Sequence, residues 1–206
     1  MARKYAWLVI VGLLALGVLV AARVLRTRGG ALPRGQGSPQ AVLRKLQEAL
    51  ARGKKAEFAD CFATPSAEHR AAVEELYEAI QAAYALRAAL RSHQGKNAFD
   101  EFMDALVGPA EVKAFVWPPE TDVTASRLIV STGGNATVEL PELPKPLRLK
   151  LAGVWRIELL ADATAARLLR DILARTAAAL RKASQAAGLP PEALARKVQE
   201  ELREDQ

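Results

Sequence analysis

The chain has 206 residues, half of them hydrophobic, and a formal charge of +6 at neutral pH. That length accommodates one membrane anchor and one globular domain of ordinary size. Six basic residues and no acidic ones precede Ser38: Arg3, Lys4, Arg23, Arg26, Arg28 and Arg34. From Ser38 onward, 23 basic side chains therefore stand against 23 acidic ones. Nucleic-acid binding needs clustered positive charge to displace counterions from phosphates, and a neutral domain excludes it as a partner class. One cysteine, Cys61, excludes an intrachain disulfide, and with only His69 and His93 beside it there is no basis for a metal site. Between Phe58 and Phe62, Cys61 reads as a small buried apolar residue.

Residues 1–4 are a short tail. Tyr5 to Ala22 is an 18-residue stretch without charge. As a helix it would span about 27 Å, close to the roughly 30 Å hydrocarbon layer of a bilayer. Val24 and Leu25 extend the apolar surface, Tyr5 and Trp7 sit where interfacial aromatics belong, and Arg23 can snorkel to the headgroups. The spacing predicts a single-pass transmembrane anchor over residues 5–25, with membrane lipid as its partner. The alternative is a cleaved secretory signal ending at Val20-Ala21-Ala22, but the apolar run is longer than such signals usually carry. With so short a tail before the span, the expected topology is a signal anchor, with the folded domain outside the cytoplasm. Residues 26–37, with four glycines and a proline, are predicted to be a flexible linker.

Ser38-Pro39 then supplies a helix start, a side-chain cap followed by proline at the first helical position. Val42, Leu43, Leu46, Ala49 and Leu50 make its apolar stripe, and Gly53 closes it. A shorter helical turn carries Phe58 and Phe62. Ser66 is expected to cap the next helix, with a stripe of Val73, Leu76, Tyr77, Ile80 and Tyr84 continuing to about Leu90. A break at Ser92-His93-Gln94-Gly95 precedes a short helix with Phe99, Phe102, Met103 and Leu106.

Beyond Gly108-Pro109 the apolar period changes from helical to alternating. Val112 to Trp117 is a candidate first strand. Arg127 to Thr132 and Ala136 to Leu140 flank the turn signal Gly133-Gly134-Asn135. Leu147, Leu149 and Leu151 alternate with polar residues, and after Ala152-Gly153 so do Trp155, Ile157 and Leu159. Asp162 or Thr164 opens a long helix bearing Leu169, Ile172, Leu173 and Leu180. After Pro190-Pro191 a final segment carries Leu194, Val198 and Leu202, expected to dock on the domain's own sheet or to offer a helix to a partner. The order predicts an α+β domain over 38–161, with helices against a curved antiparallel sheet, and a helical extension over 162–206.

Three stretches carry a family resemblance: Ala41-Val42-Leu43 through Arg52-Gly53, then Phe58 with Cys61-Phe62, then Gly153-Val154-Trp155-Arg156-Ile157. Over roughly 38–160 the chain resembles the nuclear transport factor 2-like superfamily. The resemblance implies a cone of helices and sheet whose open end forms a pocket, used for catalysis in some members and for binding or dimerisation in many. Lys54 follows the glycine where the family often has aspartate. The residues placed to line such a pocket are Tyr77, Tyr84, Phe102, Trp117 and Trp155. Catalytic relatives resembling ketosteroid isomerase need an acid or base of shifted pKa inside it. Asp60, Asp100 and Asp104 are the carboxylates available, and their positions on the polar sides of short helices suit solvated surface groups instead.

No Gly-x-Ser-x-Gly, phosphate-loop or His-Glu-x-x-His pattern is present, and no cofactor is implied. The expected function is therefore a membrane-tethered binding or scaffold module rather than an enzyme. Two alternatives stay open. One is a small pocket enzyme of isomerase or hydrolase type. The other is an assembly subunit pairing with itself or another protein through its sheet or C-terminal helices.

Overall fold

A computed structural model describes residues 38–107, 127–131, 135–139, 147–159 and 162–204. The anchor expected over 5–25, the linker, the candidate strand 112–117 and the Gly133-Gly134 turn lie outside the described residues. No helix among the described residues is long and apolar enough to cross a membrane.

The fold is α+β. Among the described residues four helices come first: α1 (Pro39–Ala51), α2 (Lys55–Ala59), α3 (Ala67–Gln94) and α4 (Ala98–Val107). Strands β1 (Arg127–Ser131), β2 (Asn135–Glu139), β3 (Leu147–Ala152) and β4 (Val154–Ile157) follow, then helices α5 (Ala163–Gln185) and α6 (Pro191–Glu204).

Each boundary has a local cause. The Ser38 Oγ accepts from the Ala41 amide at 3.2 Å, satisfying a donor that the first helical turn leaves unpaired, and Pro39 follows where its missing N–H costs nothing. At the other end of α1, Gly53 adopts φ +68°. The Lys54 amide then donates to Ala49 O (2.8 Å) and the Gly53 amide to Leu50 O (3.3 Å). This pair of reversed bonds is the Schellman ending that a left-handed glycine permits. Asp162 caps α5, its Oδ1 accepting from the Ala165 amide at 2.7 Å.

The four strands pair in chain order, every neighbour antiparallel. Alternation sets the two faces. Ala136, Val138, Leu149, Trp155 and Ile157 are buried, whereas Asn135, Arg148, Lys150 and Val154 are exposed. Gly153, at φ +76°, makes the tight β3–β4 connection. The free side of β4 is covered by the chain after α2. There Phe62 forms a parallel bridge with Ile157, whose amide donates to Cys61 O (2.8 Å) and whose carbonyl accepts from Ala63 N (2.8 Å). The start of the domain is thereby hydrogen-bonded to its last strand.

The C-terminal helices, expected as an extension, belong to the main core. Leu86, Leu90, Leu169, Leu173, Leu180 and Leu194 are buried in the same apolar cluster as the sheet's inner face. Helices α3 and α5 pack along their lengths and run in the same direction. Arg167 pairs with Glu68 (3.9 Å) near their starts, Arg181 of the later turns of α5 with Glu78 in the middle of α3 (2.5 Å), and Gln94 reaches the Ala187 carbonyl (2.6 Å) past the end of α5. Alanines at 72, 79, 82 and 83 on α3 and at 166, 177, 179 and 183 on α5 are buried, so the backbones can approach closely. Leu194, Val198 and Leu202 are buried as their spacing requires, but α6 packs on α4 and α5 rather than docking on the sheet. Gln199 Nε2 donates to Leu106 O (2.9 Å) at the end of α4, where helical carbonyls lack partners, and Lys182 of α5 pairs with Glu201 (2.5 Å).

Candidate functional site

The residues expected to line a pocket fall in several parts of the core. Tyr77 is buried on α3, with its ring 5.5 Å from Phe58, itself 5.1 Å from Phe62. Burial pushes the Tyr77 phenol above its ordinary pKa of 10.0, with Glu78 adding to the rise and Lys55 opposing it. Its hydroxyl lies where a side chain on Gly53 would meet it at 3.7 Å. Tyr84, two turns further along α3, is half-buried at the edge of the same core. Phe102 is fully buried on α4 beside Phe99 (6.1 Å), whose ring in turn lies under the Arg87 guanidinium at 5.8 Å. Trp155 is buried on the inner face of β4, paired across the sheet with Leu151. Trp117 lies outside the described residues.

Tyr77 thus belongs to the corner with Phe58 of α2, and Phe102 to a second part of the core with Phe99 on α4. Each packs as a core aromatic. The candidate acids face outward. Asp60, Asp100 and Asp104 are exposed, and Asp60 is held by Arg70 at 3.1 Å. Among the described residues no group of His, Cys, Asp and Glu is disposed to hold a metal ion. Cys61 is buried, its thiol donating to Glu57 O at 3.3 Å. Burial raises its pKa to about 11, so the thiolate a nucleophile requires is scarce at neutral pH.

One polar cluster was not foreseen. Ser66 occupies the cap position of α3 but makes no side-chain bond to the helix amides. Its hydroxyl instead donates to Glu68 Oε2 at 2.7 Å and lies 2.9 Å from His69 Nδ1. With the serine proton committed to the carboxylate, the ring supplies its own proton from Nδ1 to the serine oxygen. His69 is only 5% exposed, and its Nε2 is buried without a partner. The hydrogen bond from Ser66 is the main reason that the Glu68 carboxyl is held below its ordinary pKa of 4.5. The helix's own backbone adds to this, followed by Arg167 and His69. Chemically this is a side-chain cluster at a helix start. The third helical residue reaches back to the side chain of the cap, not to its amide, so the pair shares the spacing of a capping box without its backbone bonds. The spacing Ser66-x-x-His69 is the signal that would have found it.

Comparison with protein-family models, with curated proteins and with solved structures yields no match to this chain.

Proposed function

We propose that the chain is a single-pass, membrane-tethered binding or scaffold module, on a scaffold of the nuclear transport factor 2-like kind, that does no chemistry of its own. The observation that carries this reading is how the interior is filled. Phe58, Phe62 and Tyr77 fill one part of the core, Phe102 with Phe99 another, and Leu149, Trp155 and Ile157 the inner face of the sheet, while Asp60, Asp100 and Asp104 are turned to water. An acid–base enzyme needs a carboxylate desolvated beside an apolar cavity, and these carboxylates are solvated. The order of helices and then an antiparallel meander is what supports the scaffold assignment. The uncharged run from Tyr5 to Ala22 supports the tether.

The test uses the full chain with a protease-cleavable sequence placed between Gly29 and Gly35. The uncut protein should stay with membranes through high salt and alkaline carbonate, and cutting should release the domain. An uncut chain that carbonate strips from the membrane would refute the tether. Turnover of any ester or ketone substrate that is lost in D60A or D100A, with the fold intact, would replace the binding reading with the enzyme one.

A further inference from the structure

The β3–β4 hairpin ends in four consecutive exposed residues, Leu151-Ala152-Gly153-Val154. Leu151 is 45% exposed and Val154 44%. By register Leu151 shares the inner face with its partner Trp155, and Val154 lies on the outer face opposite Ala152, so the tip is apolar on both faces, and an exposed apolar run of this length is an error in a fold unless it is used. Directly behind the tip, Lys150 and Arg156 face each other as cross-strand partners on the outer face. Like charges directly opposite one another destabilise a sheet, and an anion placed between them removes the cost. Arg148 lies on the same face, one pair further back, beside Glu158, whose amide donates to its carbonyl at 2.8 Å. Arg148 and Lys150 are exposed, whereas Arg156 is half-buried and its Nε is buried without a hydrogen-bond partner.

We infer that this hairpin tip is a second, peripheral membrane contact: Leu151 to Val154 enters the headgroup–acyl boundary of an anionic bilayer while Lys150, Arg156 and Arg148 meet lipid phosphates. The inference rests on the tethered reading. An apolar tip backed by cations is the pattern that interfacial binding rewards, the apolar part by burial and the cations by attraction to anionic lipid. Twelve residues separate the expected anchor from the domain. Fully extended they reach about 40 Å, against a domain radius of gyration of about 15 Å, so any face can touch the bilayer. Such a tether also holds the tip at high effective concentration near lipid, where a weak contact suffices.

The test places an environment-sensitive fluorophore on A152C in the full chain, reconstituted into phosphatidylcholine vesicles with or without phosphatidylserine and with lipid-borne quenchers. Buried Cys61 leaves the new thiol as the one that reacts. The same label on E192C serves as the control that stays in water. With phosphatidylserine the tip label should shift to the blue and be quenched, and high salt should reverse both. K150Q should lower the docking equilibrium constant about fivefold, the worth of one basic residue near such a surface, and L151S should weaken docking without changing the salt dependence. Carbonate extraction of the same vesicles separates the two readings. A retained chain with an unquenched tip overturns the hairpin contact alone, whereas an extractable chain whose tip was quenched beforehand keeps the contact and removes the tether. Quenching equal in neutral vesicles, or a concentration-dependent shift without lipid that marks a second copy on the tip, overturns the inference.

Discussion

Gln94, the last residue of α3, donates from one amide nitrogen to the carbonyl oxygens of Ala187 (2.6 Å) and Leu189, in the turn that joins α5 to α6. Both carbonyls lie just past the end of a helix, where acceptors outnumber donors. Q94A should therefore destabilise the domain by about 1–3 kcal/mol, for two bonds of typical net worth. Q94E should cost more than Q94A at neutral pH, because it sets a carboxylate against two carbonyl oxygens, and less as the pH falls and the carboxyl protonates. Urea unfolding of the three proteins across pH checks both the size and the sign.

The burial of α5 against α3 makes the C-terminal helices structural. Leu173 is fully buried, whereas Leu168, five residues earlier, is 58% exposed. L173A should cost about 2–5 kcal/mol and L168A no more than about 0.5. A chain ending at Ala161 should fail to fold, since the apolar face of α3 would be left in water. Circular dichroism and thermal unfolding of the truncated and substituted chains would show it. A cooperative melt from the truncated chain would mean that α5 and α6 are dispensable.

Gly53 has φ +68°, and a β-carbon there would meet the Tyr77 hydroxyl at an ordinary 3.7 Å. The cost of G53A is thus backbone strain rather than crowding, about 1–2 kcal/mol. G53N should be milder, because asparagine tolerates the left-handed region. If the two substitutions cost the same, the Schellman ending is not what fixes this corner.

The Glu68 carboxyl is held below 4.5 chiefly by the Ser66 hydroxyl. A depressed carboxyl pKa contributes stability that is fully present above the unfolded value and disappears as pH falls through the folded one. The stability gap between the native protein and S66A should accordingly be widest above pH 4.5 and close on acidification. NMR titration of Glu68 should show its pKa moving up toward 4.5 in S66A. A gap that widened in acid would contradict the assigned cause.

Cys61 should resist thiol reagents in the native state and react on unfolding, since it is both buried and held protonated near pH 7. Rapid native labelling, measured by absorbance or mass, would place the thiol at an opening that the packing does not provide.

Much of this architecture was legible in the residue pattern because it is local. Ser38-Pro39, Gly53 and Asp162 act through bonds within a few positions, and the alternation around Leu149 and Ile157 states which side chains turn inward. Partner choice was not legible. The stripe of Leu194, Val198 and Leu202 shows which face of α6 is buried, yet nothing in its period distinguishes a sheet from the α4–α5 surface it actually covers. The candidate site was legible only as composition. Tyr77 and Phe102 carry the composition of a pocket wall, but their neighbours Phe58 and Phe99 come from contacts that spacing alone does not specify. The Ser66–His69 bond is hidden in the same way, because a serine at a cap position ordinarily bonds the helix amides.

The same-direction pairing of α3 with α5 has a consequence during synthesis. Two helices that run alike cannot be joined by a short loop, and here the sheet-forming segment lies between Gln94 and Ala163. At ribosomal speed α3 therefore waits on the order of ten seconds for its mate, its greasy side uncovered. An early tether into the bilayer would hold that nascent, half-built chain away from its neighbours while it waits.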